Sequence, residues 1–582
     1  MKSIKYIFLL ALAISLTNCQ DVLDKQPLDI ISDAVVWKDK SLVEAYLNDL
    51  YFRTDFVNLD TDRGFNQGMI AAMGAEARTF GAWQQPYIAA TQIMDETGPA
   101  SSDVEYWKYS NIRDANYFIE QLETVSTFDQ AFITQKVAEA RWLRAYMYFE
   151  MVKRYGGVPI LTKAQPIDTP EEELFVARNS EKETYDFIIA EMDAIFQLLP
   201  DSYADASRPT KWAAMALKSR AALYAASIAN YGQEQLNGLL GFPKSDVTNY
   251  AQKAYDASLA IINSGFHELY DAEADPVKNF HNLFIDESGA NKEVIFAERF
   301  DFSLGLGHSF SNRAMPDGFA RGWGSNFNIY YDFVELYEFQ DGSPGTSVTR
   351  QMLTGQEWDM ADLFHNRDPR FRASVFYPES PWQGSQVLFH TSTLVNGQTK
   401  NSGFIDGTDW PAKAPNRNTN KTGFHIKKRV DEGSVGPLDG EDDTDYYVFR
   451  LGEIYLNLAE AAFYLGKNDE ALEAINTLRS RAAMPGKTEV TEDIIRNERQ
   501  VELFFEDHRY WDLRRWRIAV EVMDGVRLQG LRYDYNWDTQ KYKIRFVNGD
   551  GVTRVFQERN YYFPIGVNRL ADNPNFVENP GY

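Results

Sequence analysis

Between Ser41 and Gly265 the apolar positions recur three and four residues apart, with little of the strict alternation that marks strands. This stretch therefore predicts a succession of amphipathic helices. The clearest contains Glu139-Ala-Arg-Trp-Leu-Arg-Ala-Tyr, where Trp142, Ala145, Tyr146, Phe149 and Val152 share one face and Glu139, Arg141, Glu150 and Lys153 fall mostly elsewhere. Gly156, Gly157 and Pro159 should end it. Ser180 with Glu183 has capping-box spacing and marks another helix start, and a third begins near Thr210 and runs through Trp212-Ala-Ala-Met-Ala-Leu-Lys-Ser-Arg-Ala without a breaker. The alanine-rich pattern returns from Leu456. Here Gly466 ends one helix, Asn468 caps the next, and Asp469 and Glu470 oppose the N-terminal dipole. Two such antiparallel helices make a tetratricopeptide-like hairpin, which buries its apolar face only by stacking on neighbours.

From about Phe266 to Tyr446 the pattern gives way to Gly, Asn, Asp, Pro and aromatics, as in Leu304-Gly-Leu-Gly-His-Ser and Gly322-Trp-Gly-Ser-Asn-Phe-Asn. A loop-rich insertion of this size costs ordering entropy, and long ordered loops disproportionately carry function. The expected fold class is mainly α: a tetratricopeptide-like helical-hairpin scaffold with a large loop-rich insertion and minor β structure. Its expected parts are a helical region at 33–265, a loop-rich ligand-binding region at 266–445 and a C-terminal helical region at 446–582.

Composition narrows the partners. The 582 residues hold 84 Asp and Glu against 59 Lys and Arg, a formal net charge of -25, which repels phosphate backbones and argues against nucleic acid. At the start, Lys2 and Lys5 precede an apolar run from Tyr6 to Leu16, too short for a membrane span of about 20 residues, so residues 1–18 read as a signal peptide. Leu16-Thr17-Asn18-Cys19 resembles the lipobox of bacterial lipoproteins, with Asn18 as its departure. Cys19, the sole cysteine, would carry the lipid anchor, which leaves no intramolecular disulfide and no catalytic thiol. Residues 19–32 would then be a tether, of which Gln20–Ser32 span at most about 40 Å.

Several segments in order along the chain resemble the SusD/RagB family of Bacteroidetes outer-membrane nutrient-binding lipoproteins. They are Glu139-Ala-Arg-Trp-Leu-Arg-Ala-Tyr with Arg154-Tyr-Gly-Gly-Val-Pro-Ile; Arg208-Pro-Thr-Lys-Trp-Ala-Ala; Asn291-Lys-Glu-Val-Ile-Phe; Arg450-Leu-Gly-Glu-Ile-Tyr-Leu-Asn-Leu-Ala-Glu-Ala; Arg496-Asn-Glu-Arg-Gln-Val-Glu-Leu-Phe-Phe-Glu-Asp-His-Arg-Tyr-Trp; and the ending Asn579-Pro-Gly-Tyr582. The resemblance implies a surface-exposed lipoprotein that rests against a SusC-like TonB-dependent transporter, closes over it as a hinged lid, and delivers an oligosaccharide or polysaccharide. Peptide capture, as in RagB-type members, is the alternative ligand class. Glu506, Arg509, Asp512 and Arg515, at three-residue spacing, read as ion pairs along a helix that also buries Phe505, Trp511 and Trp516.

Nothing in the chain assembles a recognisable catalytic constellation. The seven histidines lack metal-ligand spacing, there is no Gly-x-Ser-x-Gly elbow, and no phosphate-cradling loop. Paired carboxylates for glycoside hydrolysis have no sequence signature, so that reading stays as a lesser alternative. No cofactor is expected. Asp439-Gly-Glu-Asp-Asp-Thr-Asp445 is the one stretch with alternate oxygen ligands for calcium, but it lacks EF-hand spacing and reads as a solvated acidic turn.

Sugar binding needs aromatic platforms for the apolar ring face and fixed polar groups for hydroxyls. One stretch, between Asp60 and Asp103, offers Asp62, Arg63, Phe65, Asn66, Trp83, Gln84 and Gln85; a second offers Arg321, Trp323, Asn326, Asn328 and Tyr330. Family ligands are held by aromatics on loops equivalent to these, so Trp83, two residues after Gly81, and Trp323, between Gly322 and Gly324, are the first candidates, supported by Asp62, Asn66, Asn326 and Tyr330. Arg372, Tyr377 and Trp382 could join from a third loop, where the structural reading leads for all three.

Overall fold

The computed structural model describes residues 33–56, 69–79, 81, 85–92, 94–95, 104–166, 168–203, 206–400, 421–432 and 438–582. Its scaffold is built from helices α1 (Lys40–Thr54), α2 (Tyr109–Thr124), α3 (Gln130–Tyr155), α4 (Glu181–Ile195), α5 (Lys211–Tyr231), α6 (Val247–Ile262), α7 (Leu451–Tyr464) and α8 (Asn468–Arg481), followed by α9 (Glu492–Glu502) and α10 (Arg509–Arg515). From α2 to α8 each helix packs on the next, the arrangement that stacked hairpins require.

Local chemistry sets the helix ends. Asp39 and Asp129 accept backbone N–H bonds at the starts of α1 and α3, Ser180 and Glu183 complete a reciprocal capping box on α4, and Thr210 caps α5. Helix α3 stops at Gly156, whose φ of 70° favours glycine. On α1, Val43, Leu47, Leu50 and Thr54 form one buried stripe. Small residues let α5 and α6 approach closely enough for the Ser219 and Ser258 hydroxyls to meet at 2.8 Å.

Three sequence expectations are corrected here. Glu139 and Glu150 are buried, because α3 is covered on almost every side. Glu139 takes Lys136 at 3.0 Å, Arg208 at 3.1 Å and the hydroxyls of Tyr51 and Tyr203, and Glu150 pairs with Lys153 and Arg154. Asn468 is the first residue of α8, and Lys467 holds the cap position without a side-chain bond. Glu506 does not pair with Arg509; it reaches Arg450 and Lys428, while Asp512 takes both Arg499 and Arg515.

The chain leaves the stack after α6 and rejoins it at α7. Strand Tyr446–Arg450 seals this junction by pairing antiparallel with Val294–Glu298. The intervening region holds a four-stranded sheet in the order Ala77–Arg78, Asn328–Ile329, His425–Ile426, Val375–Phe376. A five-stranded sheet runs Glu357–Trp358, Lys541–Asn548, Gln529–Asn536, His390–Val395, Gln398–Lys400. Residues 446–582, expected to be helical, thus also supply a long hairpin to the insertion. Among the described residues no helix is long and apolar enough to cross a membrane.

Beneath the junction lies a buried ion network. Arg450 contacts Glu293 at 2.8 Å, Glu502 at 2.8 Å and Glu506 at 2.6 Å, and Arg481 bridges Glu293 and Glu502. Arg370, from the insertion, joins Asp368, Glu498 and Glu502 at 2.6–3.0 Å, and Lys428 reaches Glu506 at 2.6 Å. Nearby, Arg515 pairs with Glu460, which also accepts from Trp516 Nε1 at 2.8 Å.

Removing one member leaves buried charge uncompensated. Arg450→Met is therefore expected to cost about 3–5 kcal/mol, read as a lower denaturation midpoint in urea. Burial alone would raise Glu460 and Glu506, but Arg515 on the first and Arg450 with Lys428 on the second outweigh it and hold both at about 2, below the ordinary 4.5. Their stabilisation is complete above pH 4.5 and is lost as the folded forms protonate toward pH 2. Melting temperature should accordingly fall steeply below pH 4.5, and an unchanged melting temperature down to pH 2.5 would contradict the assigned pairs.

Candidate functional site

The second aromatic stretch is built on a short helix, Phe310–Ala314. Asn312 holds the loop that follows: its carbonyl accepts from Gly324 N–H at 3.1 Å and its side-chain oxygen from Trp323 N–H at 3.4 Å. Ser325 N–H donates to Met315 at 2.6 Å, Asn326 N–H to Arg313 at 2.8 Å, and Asp317 N–H to the Ser325 hydroxyl at 3.0 Å. Gly324 has φ 31°, and a Cβ there would lie 2.7 Å from Asp317 Cα, so the turn requires glycine. Below the loop Phe327 stacks on Phe310 at 5.4 Å, and both rings pack against Phe505.

On this fixed base Trp323 stands 66% exposed, while Trp382 and Tyr377 are buried in the core. Large exposed aromatics on a rigid loop are uncommon and suit a flat apolar ligand face. At the other end of the same short helix, the hairpin Asp301–Leu306 exposes Phe302, Leu304 and Leu306, with Leu304 73% exposed. Sequence reasoning noted the glycine-rich texture of this hairpin and passed over its apolar tips; the alternation of Leu304 and Leu306 with Gly305 and Gly307 was the available signal.

The small sheet brings the predicted stretches together. Arg78 pairs antiparallel with Asn328, His425 pairs antiparallel with Asn328, and His425 in turn pairs antiparallel with Phe376. In antiparallel ladders the exit of one strand lies beside the entry of its partner. The chain departing from Arg78, the chain arriving from Trp323 and the helix Pro369–Ser374, which bears Arg372, therefore all meet the sheet at one end. Arg372 precedes a strand two positions from Asn328–Ile329, about 10 Å away; it is half-buried, with its Nε enclosed and without a hydrogen-bond partner.

Two candidates are placed differently from expectation. Tyr330 lies beyond the opposite end of its strand and is fully buried; Arg554 donates to its hydroxyl at 3.0 Å and the hydroxyl bonds Asp550. Burial, with Asp550 alongside, pushes its hydroxyl well above the ordinary range despite Arg554. This ring is a structural post with no free face. Asn326 is buried at the loop base, and Asn328 spends its amide on Ser325 and Lys421. Arg321 is exposed beside Trp323. Asp62, Arg63, Phe65, Asn66, Trp83, Gln84 and Cys19 lie outside the described residues.

In the acidic turn, Asp442 accepts from Ser311 N–H at 2.6 Å and from Thr444, while Asp445 pairs with Arg299 at 2.7 Å. The Asp442 and Asp445 carboxylates are thus engaged by protein donors, while Asp443 is exposed; no three His, Cys, Asp or Glu side chains gather for a metal among the described residues.

Residues 292–582 match the model described as the SusD family, and residues 30–223 match one described as starch-binding associating with outer membrane. A SusD-like protein of Bacteroides ovatus is 25% identical, over 97% of this chain and 92% of its own length. The starch-binding protein SusD of Bacteroides thetaiotaomicron is 24% identical, over 86% and 82%. The crystal structure of a SusD-like protein from Bacteroides fragilis superposes with a TM-score of 0.74 at 26% identity, covering 96% of this chain and all of that one.

Exposure separates the tryptophans by what their loss does to the fold. Trp323→Ala should change unfolding free energy by no more than about 0.5 kcal/mol, whereas Trp382→Ala should cost about 3–5 kcal/mol. Parallel urea titrations of the two variants check both.

Proposed function

The chain belongs to the SusD family, and on that premise we propose that it is a cell-surface glycan-binding protein, anchored through Cys19, which passes captured oligosaccharide to a SusC-like TonB-dependent transporter. The observation that carries the reading is Trp323, an exposed indole on a loop whose backbone is pinned on both sides. A platform held rigid before binding loses little entropy when a sugar ring stacks on it. Arg321 beside it and Arg372 at the same end of the sheet offer donors for hydroxyls. Trp83, Asn66 and Asp62 are the proposed contributions of the first stretch. The similarity to a starch-binding relative and to a model named for outer-membrane association supports both the ligand class and the location.

Binding rather than catalysis is the reading taken, on the similarity to a starch-binding relative. Buried groups with shifted titration can mark catalysis, and Lys153, lowered to about 8 by burial, and Asp507, raised by burial, line an internal cavity. That cavity is about 70 Å³, room for a few waters and too small for a sugar ring.

Calorimetry of the chain begun after Cys19, against a panel of neutral polysaccharides and oligopeptides, tests the proposal. One glycan class should bind, and Trp323→Ala should weaken it at least tenfold, about 1.4 kcal/mol. Binding of peptides alone, or glycan binding indifferent to Trp323, would overturn it.

A further inference from the structure

We propose that a second site, on the helical scaffold and independent of the Trp323 loop, binds an acidic sugar residue through its carboxylate. It lies in a cleft of about 510 Å³ between the segment following α5 and the C-terminal segment, lined by Tyr231, Gln233, Gln235, Arg517, Arg559 and Tyr561. That volume is within the range of small-molecule sites and accommodates one or two sugar rings.

The two arginines are the reason for assigning an anion. Arg517 lies between two rings, 4.8 Å from the centre of Tyr561 and 4.9 Å from that of Tyr562. Its one side-chain hydrogen bond goes to the Tyr562 hydroxyl at 2.7 Å, which in turn donates to Glu181 at 2.7 Å. The backbone at Arg517 is left-handed, φ 56°, a conformation that a residue with a side chain adopts only when its surroundings enforce it. Arg559 stacks over Tyr582 and donates once, to the Gly581 carbonyl at 2.9 Å; its Nε is enclosed without a partner.

Neither guanidinium has a carboxylate of any described residue within ion-pair distance, although the chain carries 84 acidic groups. Several other buried arginines are matched, although Arg514 also meets no carboxylate of a described residue and keeps its Nε and one Nη without a partner. Arg450, Arg481, Arg370 and Arg515 each meet two or more carboxylates, and Arg178, which meets none, fills its donors with three carbonyls and the Asn579 side chain. Arg517 and Arg559 both line this cleft, and Arg559 Nε has no partner. Glu558 also lines it, but is exposed at the rim.

A guanidinium fork matches a carboxylate bidentately. The sugar assignment comes from the remaining lining: the tyrosine rings and the exposed amides of Gln233 and Gln235 offer the mixed apolar and hydrogen-bonding wall that a pyranose needs.

The test is calorimetric titration of the full chain with a galacturonate trisaccharide, a galactose trisaccharide and sodium sulfate, in the parent and in Trp323→Ala, so that loss of the platform site does not decide the result. The expected outcome is binding of the uronate in both backgrounds, no binding of the neutral sugar at this cleft, and at least a tenfold loss with Arg559→Gln, a half-exposed position whose substitution should leave the fold intact. Arg517→Lys, which keeps charge and removes the fork, should weaken binding too. Failure of the uronate to bind, or uronate binding unchanged by Arg559→Gln, would overturn the site. Equal affinity for sulfate, lost with the same substitution, would overturn the sugar assignment in favour of a general anion pocket.

Discussion

The structure depends on the buried ion network that closes the point where the insertion leaves and rejoins the helical stack. Residues 263–450 interrupt two helices, α6 and α7, that pack directly on each other. Glu293 and Arg370 come from the insertion, Arg450 from its last strand, and Arg481, Glu498, Glu502 and Glu506 from the C-terminal helices and the turn beyond them. Replacing such a cluster with well-packed apolar residues is often neutral for stability, so its consequence is chiefly geometric. The ends of the insertion cannot slide without leaving a buried charge unpaired, and this fixes the loop-rich region on the scaffold.

The constraint reaches the candidate platform through few steps. Glu506, in the network, follows Phe505, whose ring packs against Phe310 and Phe327. Phe310 opens the short helix that holds the Trp323 turn through Asn312, and Phe327 leads into the strand that gathers the chain from Arg78 and the chain toward Arg372 at one end. A solvent-exposed indole can thus be positioned by contacts that lie almost wholly in the interior. At the exposed tip the backbone N–H groups of Trp323, Gly324, Ser325 and Asn326 are all hydrogen-bonded.

Much of the scaffold was legible in the sequence because helix ends are decided locally. Ser180, Thr210, Gly156 and Gly466 act through their own turns, and the alanine-rich faces announce close packing. Glu139 was misjudged because an acidic residue reads as exposed unless its partners are known, and Arg208 and Tyr203 stand more than sixty positions away. The hairpin Gln529–Asn548 has buried Leu531, Tyr533 and Tyr535 alternating along one strand, a signal overlooked beside the helices before it. At the site, glycine on both sides of Trp323 correctly implied a loop tip, yet Asn326 and Tyr330, three and seven residues on, are buried, since a loop reverses exposure over distances that composition does not resolve. The arginine cleft was illegible for the same reason as the ion network: Tyr231, Arg517 and Tyr561 meet only in the fold.

The central claim, that Trp323 is a preformed platform for a glycan, is tested most directly by a crystal structure of the chain soaked with the glycan that binds it. The account expects a sugar ring parallel to the Trp323 indole at about 4 Å, ordinary contact distance, with the backbone from Asn312 to Ser325 unchanged. A ligand seated away from Trp323, or a loop that rebuilds its hydrogen bonds to receive it, would contradict the account.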